Sequence, residues 1–441
     1  MTNPLSKLLR VIPAGTHLVI GGTVTLGLAS YIQISVAGYG LDGDGRAAMS
    51  ALWSLVMTVS LGLFFPVEQE LTRVVAARVV RGEGVLPVLR RATTFTVGMV
   101  AVIALALALA ARPIADTFLH GETSLVWAFA ASLLGMGLVY LTRGVLAGLG
   151  RFNAYGTSLA LDGGLRIVLA LALLAAGVHA PLAYGLVLAV APLAAMLITL
   201  PTTLRGCLPG PVLARSELYQ NLSTMIVAML LAQFVANAAV LATGVLSPHD
   251  NDLQVAILNA GVLCRVPLFV FGSLQPTLMT GLSTAATSGD RQAFRQMLIR
   301  TCAVVSGLGL LGGIPAVLVG PWMIRVLFHA PDLLGGLDLF WFSAGTLCYM
   351  LAMVLGQALM AERRHRSQMY CWVLGTAVLL GVTAVPGEVA TRVELSYFFG
   401  TLATSAAMLV CLWKVPRGGT PESGRSPVPE SGSFPLSQLP G

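Results

Sequence analysis

Arg265 stands inside the long apolar run Leu253–Ala286, with about a dozen mostly apolar residues before it and about twenty after it. At ~1.5 Å per residue, a helix there carries a permanent cation roughly 15–20 Å into a segment long enough to cross a bilayer. Such a charge costs ~2.5–3.5 kcal/mol on insertion scales unless it faces a bundle interior or water. Pro267 and Pro276 interrupt the same run, in the stretch CRVPLFVFGSLQP (264–276), which a lipid-facing helix has little reason to carry. The segment therefore reads as the lining of a cavity.

Three further apolar runs carry charge. In YGTSLALDGGLRIVLALALL, Asp162 and Arg166 are four apart and stack on one helical face. They are either a self-neutralising pair that fixes helix packing or part of a polar site, with Gly163 and Gly164 leaving room for close approach. In FFPVEQELTR, Glu70 and Arg73 share a face and Glu68 points elsewhere. A buried, unpaired carboxylate is suited to bind a proton or cation; the alternative for Glu68 is to pair with Arg73 or Arg78 at the mouth of the bundle. Arg143, in YLTRGVLAGLGRF, lies within two turns of the surface, so the simpler reading is that it snorkels there. His17, Gln33, Gln233, Asn237, Asn259 and Gln357 are polar groups within apolar runs, each suited to an interhelical hydrogen bond or to lining a hydrophilic cavity.

The elements that must position these residues follow from composition. The chain of 441 residues is 56% hydrophobic and 10% charged, against about 25% charged for soluble domains, which makes it an integral membrane protein. The formal charge of +7 sits in short loops without a basic face, so nucleic acid is not the expected partner. The six cysteines show neither CxxC nor a metal-ligand spacing. The sequence has no GxxxxGK[ST], no HExxH and no Ser/His/Asp grouping, so neither an enzyme nor a cofactor is expected. The outer loop LDGDGR (41–46) lacks the other ligands of a calcium loop and reads as a turn.

Twelve runs are long enough to span: about 11–36, 48–80, 93–111, 125–146, 154–177, 182–203, 218–246, 253–286, 298–322, 339–360, 369–385 and 393–413. The first is expected to be a spanning helix rather than a cleaved signal. Alternate loops collect arginines on one side, among them Arg78, Arg81, Arg90, Arg91, Arg151, Arg205, Arg291, Arg295 and Arg364. The opposite loops collect Asp42, Asp44, Asp116, Glu122, Asp250, Asp252, Asp332, Asp338, Glu388 and Glu394, accompanied by only a few arginines, Arg46, Arg112, Arg325 and Arg392. By the positive-inside rule the arginine side and both termini are expected to be cytoplasmic. Residues 416–441, rich in Pro, Ser and Gly, are expected to be a disordered tail.

Three loop pairs resemble one another at offsets a little over two hundred residues: 81–91 with 288–300, 112–122 with 321–332, and 146–156 with 359–370. This predicts two six-helix halves, 1–204 and 218–415, joined by a linker at 205–217, with any substrate site near the midplane between them.

The stretches 259–296, 64–83 and 143–170, in this twelve-span frame, resemble the multidrug/oligosaccharidyl-lipid/polysaccharide exporter superfamily, and within it the bacterial polysaccharide flippases of O-antigen and lipopolysaccharide biosynthesis. The resemblance implies an all-α transporter fold in the bacterial plasma membrane. Its implied activity is alternating-access translocation of a polyprenyl-diphosphate-linked oligosaccharide, with a polysaccharide polymerase or glycosyltransferase as possible partner. It also implies that Arg265, Arg166, Arg143 and Arg73 bind the diphosphate or acidic sugar, which suits bidentate guanidinium chemistry. Spans 2 and 8, Met49–Val80 and Leu253–Ala286, would be the lateral gates. Glu68 and Asp162 are the candidates for ion or proton coupling. Fourteen spans, as in the peptidoglycan-precursor flippases, are not present. Two other functions compete: an ion-coupled drug or cation antiporter of the same fold, and a non-transporting scaffold for polysaccharide assembly. Deep arginines repel cationic drugs and favour the flippase.

Overall fold

The computed structural model describes residues 16–212, 222–248, 250–268, 271, 282, 291–328, 333–362 and 364–413. Pro276, most of the linker and the tail 416–441 lie outside the described residues. The first part of the chain forms α1 (Thr16–Gly40), α2 (Gly43–Val80), α3 (Leu86–Leu109), α4 (Ala111–Phe118), α5 (Thr123–Gly148), α6 (Phe152–Ala175) and α7 (Pro181–Arg205). The second part forms α8 (Leu222–Leu246), α9 (Asn251–Cys264), α10 (Arg291–Phe328), α11 (Gly336–Ala361), α12 (His365–Thr383) and α13 (Val389–Trp413).

Helix ends follow local chemistry. The Asp42 carboxylate accepts the Gly45 N–H at 2.8 Å and caps α2, so LDGDGR is a helix start rather than an ion loop. Pro181 opens α7 at a position where its missing N–H costs nothing. Gly150, with φ +69°, closes α5 in the left-handed region that glycine tolerates.

Among the described residues ten helices are long and apolar enough to cross a membrane, and the chain is a multi-pass membrane protein. The two remaining expected spans differ for separate reasons. The expected span 253–286 is described only in part: α9 covers Asn251–Cys264, the helix breaks at Arg265, two residues before Pro267, residues 266–268 are helical again, and most of 269–290 lies outside the described residues. α12 runs for 19 residues but opens on His365, Arg366, Ser367 and Gln368, which lower its mean hydropathy.

The helix pairs of the first part recur in the second. α1 packs on α6, α3 on α5, α5 on α7, and α6 on α7; correspondingly α8 packs on α12, α10 on α11, α11 on α13, and α12 on α13. Small residues set the first of these contacts. A Cβ on Gly163 would lie 2.7 Å from the Leu26 backbone, and one on Gly156 would strike Leu18. The two parts meet chiefly where α2 packs on α8, with Gly62 against Leu230. On the acidic side they are also joined by hydrogen bonds. Tyr39 donates to the Val326 carbonyl at 2.8 Å, His120 pairs with Gln254 at 3.3 Å, and Asn251 donates to Asp44.

On the arginine side the linker is anchored from α2. Arg78 is 1% exposed, donates to the carbonyls of Pro211 and Gly84 at 2.9 and 3.3 Å, and pairs with Glu83. The Leu86 N–H meets the Leu208 carbonyl at 3.0 Å, and Gly84 lies against Pro209 so closely that no side chain fits.

Candidate functional site

One face of α6 presents Tyr155, Ser158, Asp162 and Arg166 at spacings of three and four, so all four point the same way. α5 lays Arg143 against that face, and α2 lays Glu68 there. The approach is close because Gly144 and Gly148 of α5 leave no Cβ between it and Glu68, Leu71 and Val75 of α2. Asp162, fully buried, accepts from Arg143 Nη2 at 2.9 Å and from Arg166 Nε at 2.8 Å. Arg143 also donates to the Ser158 hydroxyl and carbonyl, both at 3.2 Å, and its guanidinium stands 5.8 Å from the Tyr140 ring centroid. Glu68 accepts the Tyr155 hydroxyl at 2.8 Å and lies within electrostatic range of Arg143.

Two expectations are corrected here. Arg143 does not snorkel: it is 2% exposed and turned inward, because a carboxylate, a hydroxyl and an aromatic face together compensate it better than a short reach to water. Glu68 pairs with neither Arg73 nor Arg78; Arg73 is taken by Glu70 through two hydrogen bonds of 2.9 and 2.6 Å, and Arg78 by the linker. Arg73 is exposed at 60% of its side chain and stands apart from the buried group. Of the four arginines expected in one site, Arg143 and Arg166 share Asp162, Arg73 lies at the surface of α2, and Arg265 lies in the other part of the chain.

Arg265 caps α9, its backbone N–H turned to the carbonyls of Val262 and Leu263, and helical structure resumes at residues 266–268. Pro267, one turn on, fits against Gly312 of α10. The guanidinium is half-buried. It donates to Asn237 Oδ1 at 3.1 Å and stands 5.9 Å from the Tyr397 ring centroid. Its Nε is buried without a partner, and no carboxylate pairs with it among the described residues. Tyr31 of α1, bonded to the Val262 carbonyl at 2.8 Å, brings the first part of the chain within electrostatic range.

A narrow cleft with a cavity volume of only about 20 Å³ lies in the arginine-side half of the bundle, between α2, α8, α11 and α12. Met225, Met229, Met353 and Met360 line it with Gln357 and Trp372, and no charged residue does. Trp372 packs on Tyr349, whose hydroxyl accepts from Gln233, and Tyr397 lies on the same face as the Arg265 cation.

The sequence reading missed the tyrosines and Ser158. The 155, 158, 162, 166 spacing would have found two of them, whereas Tyr349 and Tyr397 come from separate helices with no local signal. Gln233 and Asn237 do make interhelical contacts, to Tyr349 and Arg265. Asn259 and Gln357 each keep a buried oxygen without a partner.

No family model matches the chain. An uncharacterized protein of Mycobacterium tuberculosis is 24% identical over 420 residues, covering 92% of this chain and 93% of that protein. An uncharacterized protein of Mycobacterium bovis is 28% identical over 410 residues, covering 88% and 90%. Among solved structures, the Vibrio cholerae MATE transporter VcmN superposes with a TM-score of 0.69 at 14% identity, over 90% of this chain and 94% of that one. An inward-facing multidrug resistance MATE family transporter of the MOP superfamily gives 0.67 at 13% identity, over 88% and 93%. An outward-facing form of such a transporter gives 0.62 at 14% identity, over 91% and 97%. The all-helical fold of this chain is that of the MATE transporters.

Proposed function

We propose that this protein moves a polyprenyl-diphosphate-linked oligosaccharide across the bacterial plasma membrane by alternating access between two six-helix halves, with both termini cytoplasmic. The observation that carries the reading is Arg265. It is a permanent cation deep in the fold, between the two parts of the chain, with a neutral hydrogen-bond partner and one unused donor. An anion with several oxygens is the ligand such a group lacks. The Met- and Trp-rich lining between α2, α8, α11 and α12 has the apolar character an isoprenoid stem requires, and the hydrogen bonds across the acidic side fit a state open toward the arginine side. Arg143 and Arg166, balanced by Asp162 and Glu68, form a near-neutral group that serves packing and coupling rather than first contact with the diphosphate.

The test is to deplete the protein in its own cells and follow lipid-linked oligosaccharide at the inner leaflet. The intermediate accumulates, wild type clears it, and equally expressed Arg265→Ala does not. A second reading, a drug antiporter, is favoured by the uncharged aromatic and Met lining of the pocket. It is supported if no intermediate accumulates and the cells become sensitive to cationic drugs.

A further inference from the structure

The seam between the two parts of the chain encloses a second small cavity, on the acidic side. Its volume is about 20 Å³, the room of one water molecule or one hydroxyl group. α1 lines it with Ile34, α2 with Arg46 and Ser50, and α9 with Leu258 and Asn259. This lining holds an acceptor in want of a donor. Asn259 is 1% exposed, and its Oδ1 is buried without a hydrogen bond, which is costly for an amide oxygen. The Ser50 hydroxyl does not serve it, because that proton goes to the Arg46 carbonyl at 2.8 Å.

The lining also selects what can fill the space. Arg46 brings a guanidinium whose Nε is buried, and a guanidinium only donates. Among the described residues no carboxylate lines the cavity, so a cation meets the Arg46 charge with nothing to offset it. A fully ionised anion offers Asn259 no proton. A hydroxyl group meets both needs, donating to Asn259 Oδ1 and accepting from Arg46.

Position ties this cavity to Arg265. Asn259 precedes that residue by six positions on α9, about 9 Å of helix toward the acidic side. Midway, the Val262 carbonyl accepts the Tyr31 hydroxyl at 2.8 Å, so α1 is bonded to α9 between the two sites. A sugar carried on a diphosphate at Arg265 and directed to the acidic side meets Asn259 next.

We propose, on the reading of Arg265 as the diphosphate site, that Asn259 and Arg46 form a subsite for one hydroxyl group of a neutral first sugar. The cavity admits the hydroxyl, and the ring takes the space opened when Tyr31 releases Val262. Parting α1 and α2 from α9 then exposes the subsite to the acidic side, where water replaces its hydrogen bonds to the sugar.

The test titrates the full chain in lipid nanodiscs with two probes, a short-chain polyprenyl diphosphate and the same lipid carrying one neutral hexose. Wild type binds the hexose-bearing lipid about 2- to 10-fold more tightly, the effect of one net hydrogen bond. Asn259→Leu brings the two affinities together, and its remaining affinity for the bare diphosphate shows that it is folded. Arg46→Met does the same and carries the test if Asn259→Leu does not fold. Arg265→Ala weakens both probes alike. A preference that survives both seam substitutions, or a wild type that does not distinguish the lipids, overturns the subsite and leaves a water there, with the Arg265 reading intact. A wild type that binds neither lipid overturns both.

Discussion

Replacing Asp162 by asparagine removes one negative charge from between two buried arginines. Arg143 and Arg166 are each 2% exposed, and their ion pairs with Asp162 measure 2.9 and 2.8 Å. Breaking a buried pair by deleting one member costs ~3–5 kcal/mol, because the surviving charge stays dehydrated. Here two charges survive and Glu68, near Arg143 only, relieves one of them. We therefore expect Asp162→Asn to lose about 3–5 kcal/mol or more, read as unfolding of the purified protein in detergent by tryptophan fluorescence against SDS concentration. Replacing all three charged residues by apolar ones of similar volume should recover much of that loss, since a packed apolar group avoids the desolvation cost altogether. If Asp162→Asn costs less than about 1 kcal/mol, the range of exposed pairs, the arginines are hydrated and the buried-cluster account fails.

Other expectations follow from single contacts. Tyr155→Phe strips Glu68 of its 2.8 Å hydrogen bond and should cost ~1–3 kcal/mol in the same unfolding measurement. Gly163→Ala forces a Cβ to within 2.7 Å of the Leu26 backbone and should cost ~1–3 kcal/mol, whereas Gly164→Ala, with nothing within 4 Å, should be neutral or slightly stabilising. Glu83 lies outside the spanning segments, and its hydrogen bond to Arg81 holds the carboxyl below the ordinary carboxylate value. Its contribution to stability is therefore complete above about pH 4.5 and is lost as pH falls through the lower, folded value. Glu83→Gln should flatten the acid limb of a melting-temperature profile and lower the neutral plateau slightly, while leaving the value at low pH unchanged.

Most of the fold is legible in the sequence because apolar length and arginine placement are strong, local signals. Two spans carry competing local chemistry: α9 breaks at Arg265, two residues before Pro267, and His365–Gln368 makes the start of α12 polar. The i, i+4 pairing of Asp162 with Arg166 is also legible, since helical periodicity alone places both on one face. The inward turn of Arg143 is not. It depends on α5 sliding within reach of α6, which glycines at 144 and 148 permit but do not announce. Glu394 shows the same limit from the other direction. An acid one turn inside a helix start is indistinguishable in sequence from a loop acid, yet Glu394 is only 1% exposed.

The central claim is that Arg265 is the cation awaiting an anionic ligand, and binding tests it most directly. Purified protein in nanodiscs should bind a short-chain polyprenyl diphosphate more tightly at low salt than at high salt. Arg265→Ala should weaken that binding roughly 10- to 100-fold, the equivalent of ~1.5–3 kcal/mol for hydrogen bonds to a charged group. Arg73→Ala should leave it unchanged. Equal affinity in wild type and Arg265→Ala, or a preference for a lipophilic cation over the diphosphate, would contradict the account.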